Sequence, residues 1–305
     1  MRAKYLGLDL PSPIIVSSSP YTSNVKSVEQ CAASGAGAVV LKSIFEEQIL
    51  HHAAALDAVS DSAYGDAEVY LQRYLGEDYK AGFLRLVQEA RSKTDLPVIA
   101  SINCVADKGD WIEYATAMAD AGASALELNI FIQPTDIHAQ ARELELNYAE
   151  IVGRVAGAVK IPVSVKLPMR LTNVFALSSA LLGYGARGVV FFNRFFEPDV
   201  DVERMTFVEG SPYSEASELR NVLRTTAICV GALPRMDFAV STGVHDGEAA
   251  VKHDYCNGCG KQEFYDACNG HYLLIRTLLS LDSADREIVR TVVERLAAAR
   301  EEENA

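Results

Sequence analysis

The sequence lacks the features that mark membrane, secreted and nucleic-acid-binding proteins. No apolar run is long enough to cross a bilayer, and the first residues lack the apolar segment of a secretory signal. Lysine and arginine number 28 against 41 acidic residues, giving a formal net charge of -13. This charge disfavours binding to nucleic acid or to an anionic membrane surface. We therefore expect a cytoplasmic protein that acts on a small molecule.

Two nucleotide-binding motifs are also missing. The chain has neither a Gly-x-Gly-x-x-Gly that opens a helix nor a Walker A loop, which disfavours a doubly wound nucleotide-binding fold. Proline is scarce, at 10 of 305 residues, and apolar residues make up 49% of the chain. This composition indicates a folded protein with a sizeable core rather than a disordered one.

What the sequence does contain is one pattern, repeated along the chain: a short apolar run, polar residues at its end, an amphipathic helical stretch and a small-residue turn. The runs predict strands at residues 14–18, 38–43, 98–103, 125–130, 163–167, 189–193 and 238–242. Three of them follow glycine-bearing turns, in ASGAGAVVLKS, ADAGASALELN and LGYGARGVVFFN, as is typical after a helix.

Several of these runs are apolar nearly throughout, which is expected when both faces of a parallel sheet are buried. The pattern therefore predicts an α/β protein, a closed (β/α)8 TIM barrel that forms one domain over residues 1–305. Residues 195–235 interrupt the rhythm. They predict an excursion after the sixth strand, with a hairpin followed by a helix from about Ser217.

Polar residues stand at the end of every predicted strand. They are Ser17, Ser18, Lys42, Ser43, Asn103, Asn129, Lys166, Asn193, Ser241 and Thr242, and Gly243 follows the last of them. Because the carboxyl ends of barrel strands meet at one mouth, we expect a ring of hydrogen-bond donors and acceptors there. Two lysines and three asparagines suit a planar, carbonyl-rich, anionic ligand such as a phosphorylated heteroaromatic cofactor. The turn at Gly243 offers backbone N–H groups to a phosphate.

An ordered set of short segments resembles the dihydroorotate dehydrogenase family. The segments are YLGLDLPSPIIVSSSP, VVLKS, ALELNI, IPVSVKLP, VVFFNR and STGVHDG, and they lie between residues 5 and 252. ELNIFIQPTD and FFNRFFEPDVD resemble the dihydroorotate dehydrogenase-like proteins even more. The resemblance implies FMN in the barrel mouth, hydride transfer between a dihydropyrimidine and flavin N5, a role in pyrimidine biosynthesis, and a homodimer.

The resemblance also implies a role for each strand-end residue. Lys166 is expected to face the N1–C2 carbonyl edge of the flavin, where a cation stabilises the reduced anion. The predicted catalytic residues, which would also contact the cofactor, are Lys42, Asn129 and Asn193. The other predicted flavin contacts are Ser17, Ser18, Ser43, Asn103, Ser241, Thr242 and Gly243, with Gly243 in the phosphate turn.

The chain departs from the family on the substrate side. Where the family reads Asn-Leu-Ser-Cys-Pro-Asn, with a cysteine or serine as base, this sequence has NIFIQP, and Ile132 stands in the place of the base. The family's Asn-Ser-Met-Gly-Leu-Pro-Asn loop is also missing. An isoleucine cannot accept a proton, so we expect a substrate other than dihydroorotate, or another proton acceptor. Candidates are Tyr70, Tyr74, Thr135 and Asp136, although capping and surface packing are the favoured interpretation of each.

The expected eighth strand is irregular. Residues 253–271 read HDYCNGCGKQEFYDACNGH, which is polar and glycine-rich. Three interpretations stay open: a divergent closure of the barrel, a metal site built on Cys256, Cys259 and Cys268, and an error in the sequence. The metal site ranks below the two non-metal interpretations, because a barrel strand should occupy this position.

Two further functions compete with the flavin oxidoreductase. A barrel lyase would use Lys166 or Lys42 to form a Schiff base with a carbonyl substrate. A non-catalytic or cofactor-poor relative would keep the barrel and bind a nucleotide or a partner, as the missing base and the irregular eighth strand suggest.

Overall fold

The computed structural model describes residues 3–45, 80–103, 111–132, 136–193, 198–209 and 214–244. The strands are β1 (Ala3–Tyr5), β2 (Leu8–Leu10), β3 (Ile15–Val16), β4 (Ala38–Val40), β5 (Ile44–Phe45), β6 (Val98–Asn103), β7 (Ala125–Asn129), β8 (Val163–Pro168), β9 (Gly188–Asn193), β10 (Pro198–Asp201), β11 (Thr206–Glu209) and β12 (Asp237–Val240). The helices are α1 (Val25–Ala33), α2 (80–93), α3 (Trp111–Asp120), α4 (Ala141–Ala158), α5 (Val174–Gly183) and α6 (Leu219–Ala232).

One parallel sheet organises the chain. Its spatial order is β3–β4–β6–β7–β8–β9–β12, so each strand pairs with the next one along the sequence, and β5 extends the second unit by pairing with β6. A helix follows each of the first six units. This consecutive parallel order is that of a (β/α)8 barrel and confirms the predicted fold class. The predicted irregular eighth strand lies outside the described residues, and the single domain over 1–305 stays a prediction.

The strands bury a different set of side chains on each face. Residues such as Val98, Leu126 and Val165 join the large apolar core between the sheet and the helices. Ala38, Ile99 and their neighbours form a second, smaller core inside the barrel. Because side chains alternate along a strand, β4, β6 and β7 contribute apolar residues to both cores, which is why apolar residues follow one another in their sequences.

Short polar signals set the helix ends. The side chain of Asn24 accepts a hydrogen bond from Ser27 N at 3.0 Å and caps α1, and Asn173 caps α5 in the same way. Three helices are followed by a glycine with positive φ, at Gly35, Gly122 and Gly185. The glycine-bearing turns predicted from the sequence are therefore helix C-terminal caps.

An N-terminal hairpin, which sequence analysis did not predict, closes the floor of the barrel. β1 and β2 pair antiparallel, and the side chains of Tyr5, Leu6 and Leu10 enter the inner core. Leu6 N donates a hydrogen bond to Asp237 Oδ2 of β12 at 2.7 Å. A Cβ at Gly188 of β9 would lie 2.6 Å from Leu6 Cδ2, so a side chain at this position would require the Leu6 side chain to move.

The excursion after the sixth barrel strand is a second hairpin. β10 and β11 pair antiparallel, and a 3₁₀ turn at Ala216–Glu218 leads into α6. This arrangement confirms the predicted hairpin and the helix expected from about Ser217. Among the described helices, none has both the length and the apolar character that a membrane crossing requires.

Candidate functional site

Three adjacent strands, β6, β7 and β8, turn polar side chains toward the barrel interior. Ala100 and Ile102 of β6, Leu126 and Leu128 of β7, and Val165 and Leu167 of β8 belong to the outer core. The residues between and after them therefore face inward. These inward residues are Ser101, Asn103, Glu127, Asn129, Ser164 and Lys166.

Two predicted amides are in direct contact. Asn193 Nδ2 donates a hydrogen bond to Asn129 Oδ1 at 2.7 Å. The bond joins β7 to β9 across β8, and Lys166 of β8 is the register partner of Asn129. Asn129 is buried, with 8% of its surface exposed. The structure therefore brings two of the predicted catalytic residues and the predicted flavin lysine into one corner of the mouth.

A chain of serine hydroxyls occupies another part of the mouth. Ser18 Oγ lies 3.0 Å from Ser43 Oγ and accepts a hydrogen bond from Ser43 N at 2.9 Å. Ser43 Oγ in turn lies 2.8 Å from Ser101 Oγ, which is fully buried. Hydroxyls in such a row donate and accept in sequence, so Ser18 and Ser43 hold each other in place.

Lys42 precedes Ser43 in the same segment. Its backbone N–H donates to Thr22 O at 3.3 Å, which ties the end of the second barrel unit to the loop after β3. The side chain is half-buried, and this burial lowers the pKa of Lys42 because desolvation disfavours the charged form. A lysine with a lowered pKa exchanges its proton nearer to neutral pH.

At the end of β12 and in the turn after it, two polar groups form hydrogen bonds to other parts of the protein. Ser241 Oγ donates to Phe192 O at 2.6 Å, and Gly243 N donates to Ser214 Oγ at 2.9 Å. Gly243 has φ of +76°, and a Cβ there would lie 2.4 Å from Leu219 N at the start of α6. Thr242 Oγ1 is buried, and no hydrogen bond satisfies it within the described part of the chain.

Two predicted residues lie apart from these contacts. Ser17 is exposed after β3, and Asn103 is half-buried at the end of β6. Neither is hydrogen-bonded to another predicted site residue in the ranges that the structure describes. Asn103 still shares the inward face of β6 with Ser101, so its amide stands at the mouth.

The loop after β7 carries Ile132 in the place expected for the base. Ile132 N donates to Tyr148 Oη of α4 at 3.0 Å, and its side chain packs against the outer core. Burial raises the pKa of Tyr148, which keeps the hydroxyl protonated. The candidate Asp136 is exposed and accepts from His138 N at 2.8 Å, as in a local turn. Tyr70, Tyr74 and Thr135 lie outside the described residues.

Sequence reasoning missed a second polar layer beneath the mouth. Ser101, Glu127 and Ser164 each stand two residues before a predicted site residue and so share its face of the strand. Glu127 is 5% exposed, and its charge adds to burial in raising the pKa of Tyr5 from the N-terminal hairpin. The sequence carries a signal for this layer. Within an otherwise apolar run, a polar residue stands two positions before a strand-end asparagine or lysine.

No grouping of histidine, cysteine and acidic residues that could hold a metal occurs in the portion of the chain that the structure covers. The candidate ligands Cys256, Cys259 and Cys268 lie outside it.

Several known proteins are similar in sequence. An Aeropyrum pernix protein named as dihydroorotate dehydrogenase A (fumarate) is 35% identical over 175 residues, which cover 55% of this chain. The catalytic subunit of dihydroorotate dehydrogenase B (NAD(+)) from Methanocella arvoryzae is 29% identical over 204 residues, or 64% of the chain. The chain is a homologue of dihydroorotate dehydrogenases. No protein-family model matches it.

The matches cover part of each relative. They span 55% of the Aeropyrum pernix protein and 62% of the Methanocella arvoryzae subunit, so the chain covers less than two thirds of their length. The catalytic subunit from Methanosarcina mazei, which is 28% identical, is matched over 62% of its length.

Proposed function

We propose that this homologue is a flavin-dependent oxidoreductase that acts on CH–CH groups and holds FMN in the barrel mouth. The observation that carries the proposal is the corner formed by Asn129, Asn193 and Lys166. It offers amide donors and acceptors beside an ammonium group, as a planar ligand with carbonyl and ring-nitrogen edges requires. The names of the relatives support the same reaction class.

The donor set fits FMN. Lys166, Asn129 and Asn193 would hold the polar edge of the isoalloxazine, with the Ser18–Ser43 hydroxyl pair, Lys42 and Asn103 around it. The buried, unsatisfied hydroxyl of Thr242 beside Gly243 suits the phosphate end. Bound there, FMN supplies a two-electron acceptor for a hydride. The chain's own residues orient the ring, exclude water from the buried corner and place a cation where negative charge develops.

The substrate is proposed to differ from dihydroorotate, or to lose its proton to a group other than Ile132. The Ile132 side chain packs on the outer core and its N–H is taken by Tyr148, so this position serves structure rather than proton transfer. Asp136 is engaged in an exposed turn, which favours the capping interpretation. Lys42, whose pKa burial lowers, is a described candidate for the proton acceptor.

The same property of Lys42 keeps a Schiff-base lyase as the second candidate, since a lysine with a lowered pKa is a better nucleophile. Borohydride trapping of a carbonyl substrate on Lys42 or Lys166 would favour the lyase over the flavoenzyme. We also propose that the protein is a homodimer and lies in the cytoplasm, as the resemblance implies.

The visible absorption spectrum of the purified protein tests the flavin proposal. We expect a flavin spectrum, release of FMN on denaturation, and about one FMN per chain after reconstitution. Lys166→Met should weaken FMN binding roughly tenfold or more, the effect of losing a charge-assisted hydrogen bond. Lys160→Met, which removes an exposed lysine before β8, should leave the affinity unchanged.

A colourless protein that takes up no added FMN would contradict the proposal and move the non-catalytic relative and the lyase ahead. If FMN binds but dihydroorotate reduces it at a rate typical of enzymes, the flavoenzyme stands and the proposed change of substrate fails.

A further inference from the structure

Glu127 is a carboxyl group inside the barrel that no predicted role uses. It occupies the middle of β7, two residues before Asn129, and its side chain faces the barrel interior because Leu126 and Leu128 face the outer core. Only 5% of its surface is exposed, and Oε1 accepts no hydrogen bond from the described residues. A buried carboxyl group with an unsatisfied oxygen is costly and needs a reason to persist.

Among the described residues, Lys166 is the cation that acts on Glu127. The register partners of Glu127 are Ser101 on β6 and Ser164 on β8, two buried hydroxyls that carry no charge. Lys166, two residues beyond Ser164 on the same face of β8, acts on the Glu127 carboxyl with its positive charge. Below, the N-terminal hairpin brings the Tyr5 hydroxyl, and Asp237 of β12 also acts on that hydroxyl.

Two opposing effects therefore meet at Glu127. Burial favours the neutral acid and raises the pKa of this group, while the Lys166 ammonium favours the carboxylate. When the carboxyl group is neutral, Lys166 keeps its full charge toward the mouth. When it is ionised, the two charges offset each other within the barrel.

We propose that Glu127 is a proton-binding positioning residue beneath the mouth, whose protonation sets how much positive charge Lys166 presents to a ligand there. Lys166 is level with Asn129 in the sheet register and lies one inward position closer to the mouth than Glu127, so the carboxyl group is placed to influence the mouth through the lysine. Proton uptake by Glu127 strengthens the binding of an anionic ligand, and proton release weakens it.

The titration of Glu127 tests the pairing without any cofactor. The full chain is labelled with glutamate carrying ¹³C in the side-chain carboxyl, and the Glu127 signal is assigned by its loss in Glu127→Gln. If that variant does not fold, Glu127→Asp removes the same signal with a carboxyl group retained. We expect a titration midpoint above the usual range for glutamate.

Lys166→Met should move this midpoint upward by about one pH unit or more, because the cation that favours the carboxylate is gone. Lys42→Met, which removes the other strand-end lysine, should leave it in place. An ordinary midpoint for Glu127, or one that Lys166→Met does not shift, would overturn the proposal.

The effect on the mouth rests on the proposed FMN site and is measured separately. The dissociation constant of FMN should increase several-fold as the pH rises through the Glu127 midpoint in the wild-type protein, and it should lose this pH dependence in Glu127→Gln. The same pH dependence in both proteins would overturn the action of Glu127 through Lys166. If no FMN binds at any pH, the proposed function fails, and the carboxyl titration still decides the pairing.

Discussion

At the scale of single residues, the polar atoms inside the barrel are of two kinds: those that are hydrogen-bonded to a neighbour and those without a hydrogen-bond partner among the described residues. Ser101 bonds Ser43, and Ser164 Oγ donates to Leu126 O at 3.0 Å, so both are settled within the fold. Tyr5 Oη, Glu127 Oε1 and Thr242 Oγ1 have no such partner among the described residues. Because an unsatisfied buried polar group costs about 1–3 kcal/mol, these atoms are where a ligand or a proton gains most.

Glu127→Gln should change how stability depends on pH. Burial raises the pKa of Glu127 in the folded protein, so the folded state binds its proton more tightly than the unfolded chain does. The contribution of Glu127 to stability is then fully present below the ordinary glutamate pKa, and it is lost as the pH rises toward the raised, folded-state value. Glutamine cannot ionise and avoids this loss.

We therefore expect urea unfolding to show that Glu127→Gln gains stability relative to the wild type as the pH rises from 4 to 8. The gain is about 1.4 kcal/mol for each unit by which the pKa is raised. Glu89→Gln, which changes an exposed carboxyl group on α2, serves as the control and should follow the wild-type curve. A difference between Glu127→Gln and the wild type that stays constant with pH would contradict the assignment.

Sequence reasoning recovered residues at strand ends because their position follows from topology alone. Asn129, Asn193 and Lys166 meet since parallel strands end on one side of the sheet. Sequence reasoning could not predict that Ser241 Oγ donates a hydrogen bond to Phe192 O, or that Ile132 N donates one to Tyr148 Oη. Those contacts depend on distances between segments, which a strand pattern does not contain.

At the scale of elements, the turn after β12 packs closely against Leu219, the first residue of α6. We expect Gly243→Ala to destabilise the protein by about 1–3 kcal/mol, because alanine is strained at φ +76° and its Cβ would lie 2.4 Å from Leu219 N. Gly157→Ala, where a Cβ meets nothing within 4 Å, should be neutral or slightly stabilising in α4. Thermal unfolding of the two variants distinguishes a local clash at Gly243 from a general intolerance of added methyl groups. Equal melting temperatures for the two variants would contradict the close packing of Gly243 against Leu219.

The elements that the sequence predicted are those with a long periodic signal. The barrel strands from β6 to β9 and the glycine-capped turns before them carry such a signal, and their predicted bounds agree with the structure to within one residue. The N-terminal hairpin escaped prediction because each strand has three residues and the turn places Leu6 at φ 56°, where glycine or asparagine is usual. Its stability comes from the barrel floor rather than from its own sequence.

At the scale of the whole molecule, this hairpin joins the start of the chain to β12 near the end of its described part. The bond from Leu6 N to Asp237 Oδ2 spans 231 residues of sequence. Tyr5 and Leu6 also fill the inner core against Ala38, Val40 and Ala125. Closing a loop of this length costs entropy, so the bond forms only when the barrel folds, and its loss should affect the barrel as a unit.

Asp237→Ala should lower the free energy of unfolding by about 1–3 kcal/mol, since it leaves the part-buried Leu6 N–H without its acceptor. Asp237→Asn keeps an acceptor oxygen and should recover part of the loss. Asp9→Ala removes an exposed pair with Lys4 in the same hairpin and should cost at most a few tenths of a kcal/mol. Urea unfolding gives the three values, and amide hydrogen exchange at Leu6 reports the bond itself. Equal losses of unfolding free energy for Asp237→Ala and Asp9→Ala, with an unchanged exchange rate at Leu6, would mean that the bond from Leu6 to Asp237 does not stabilise the barrel.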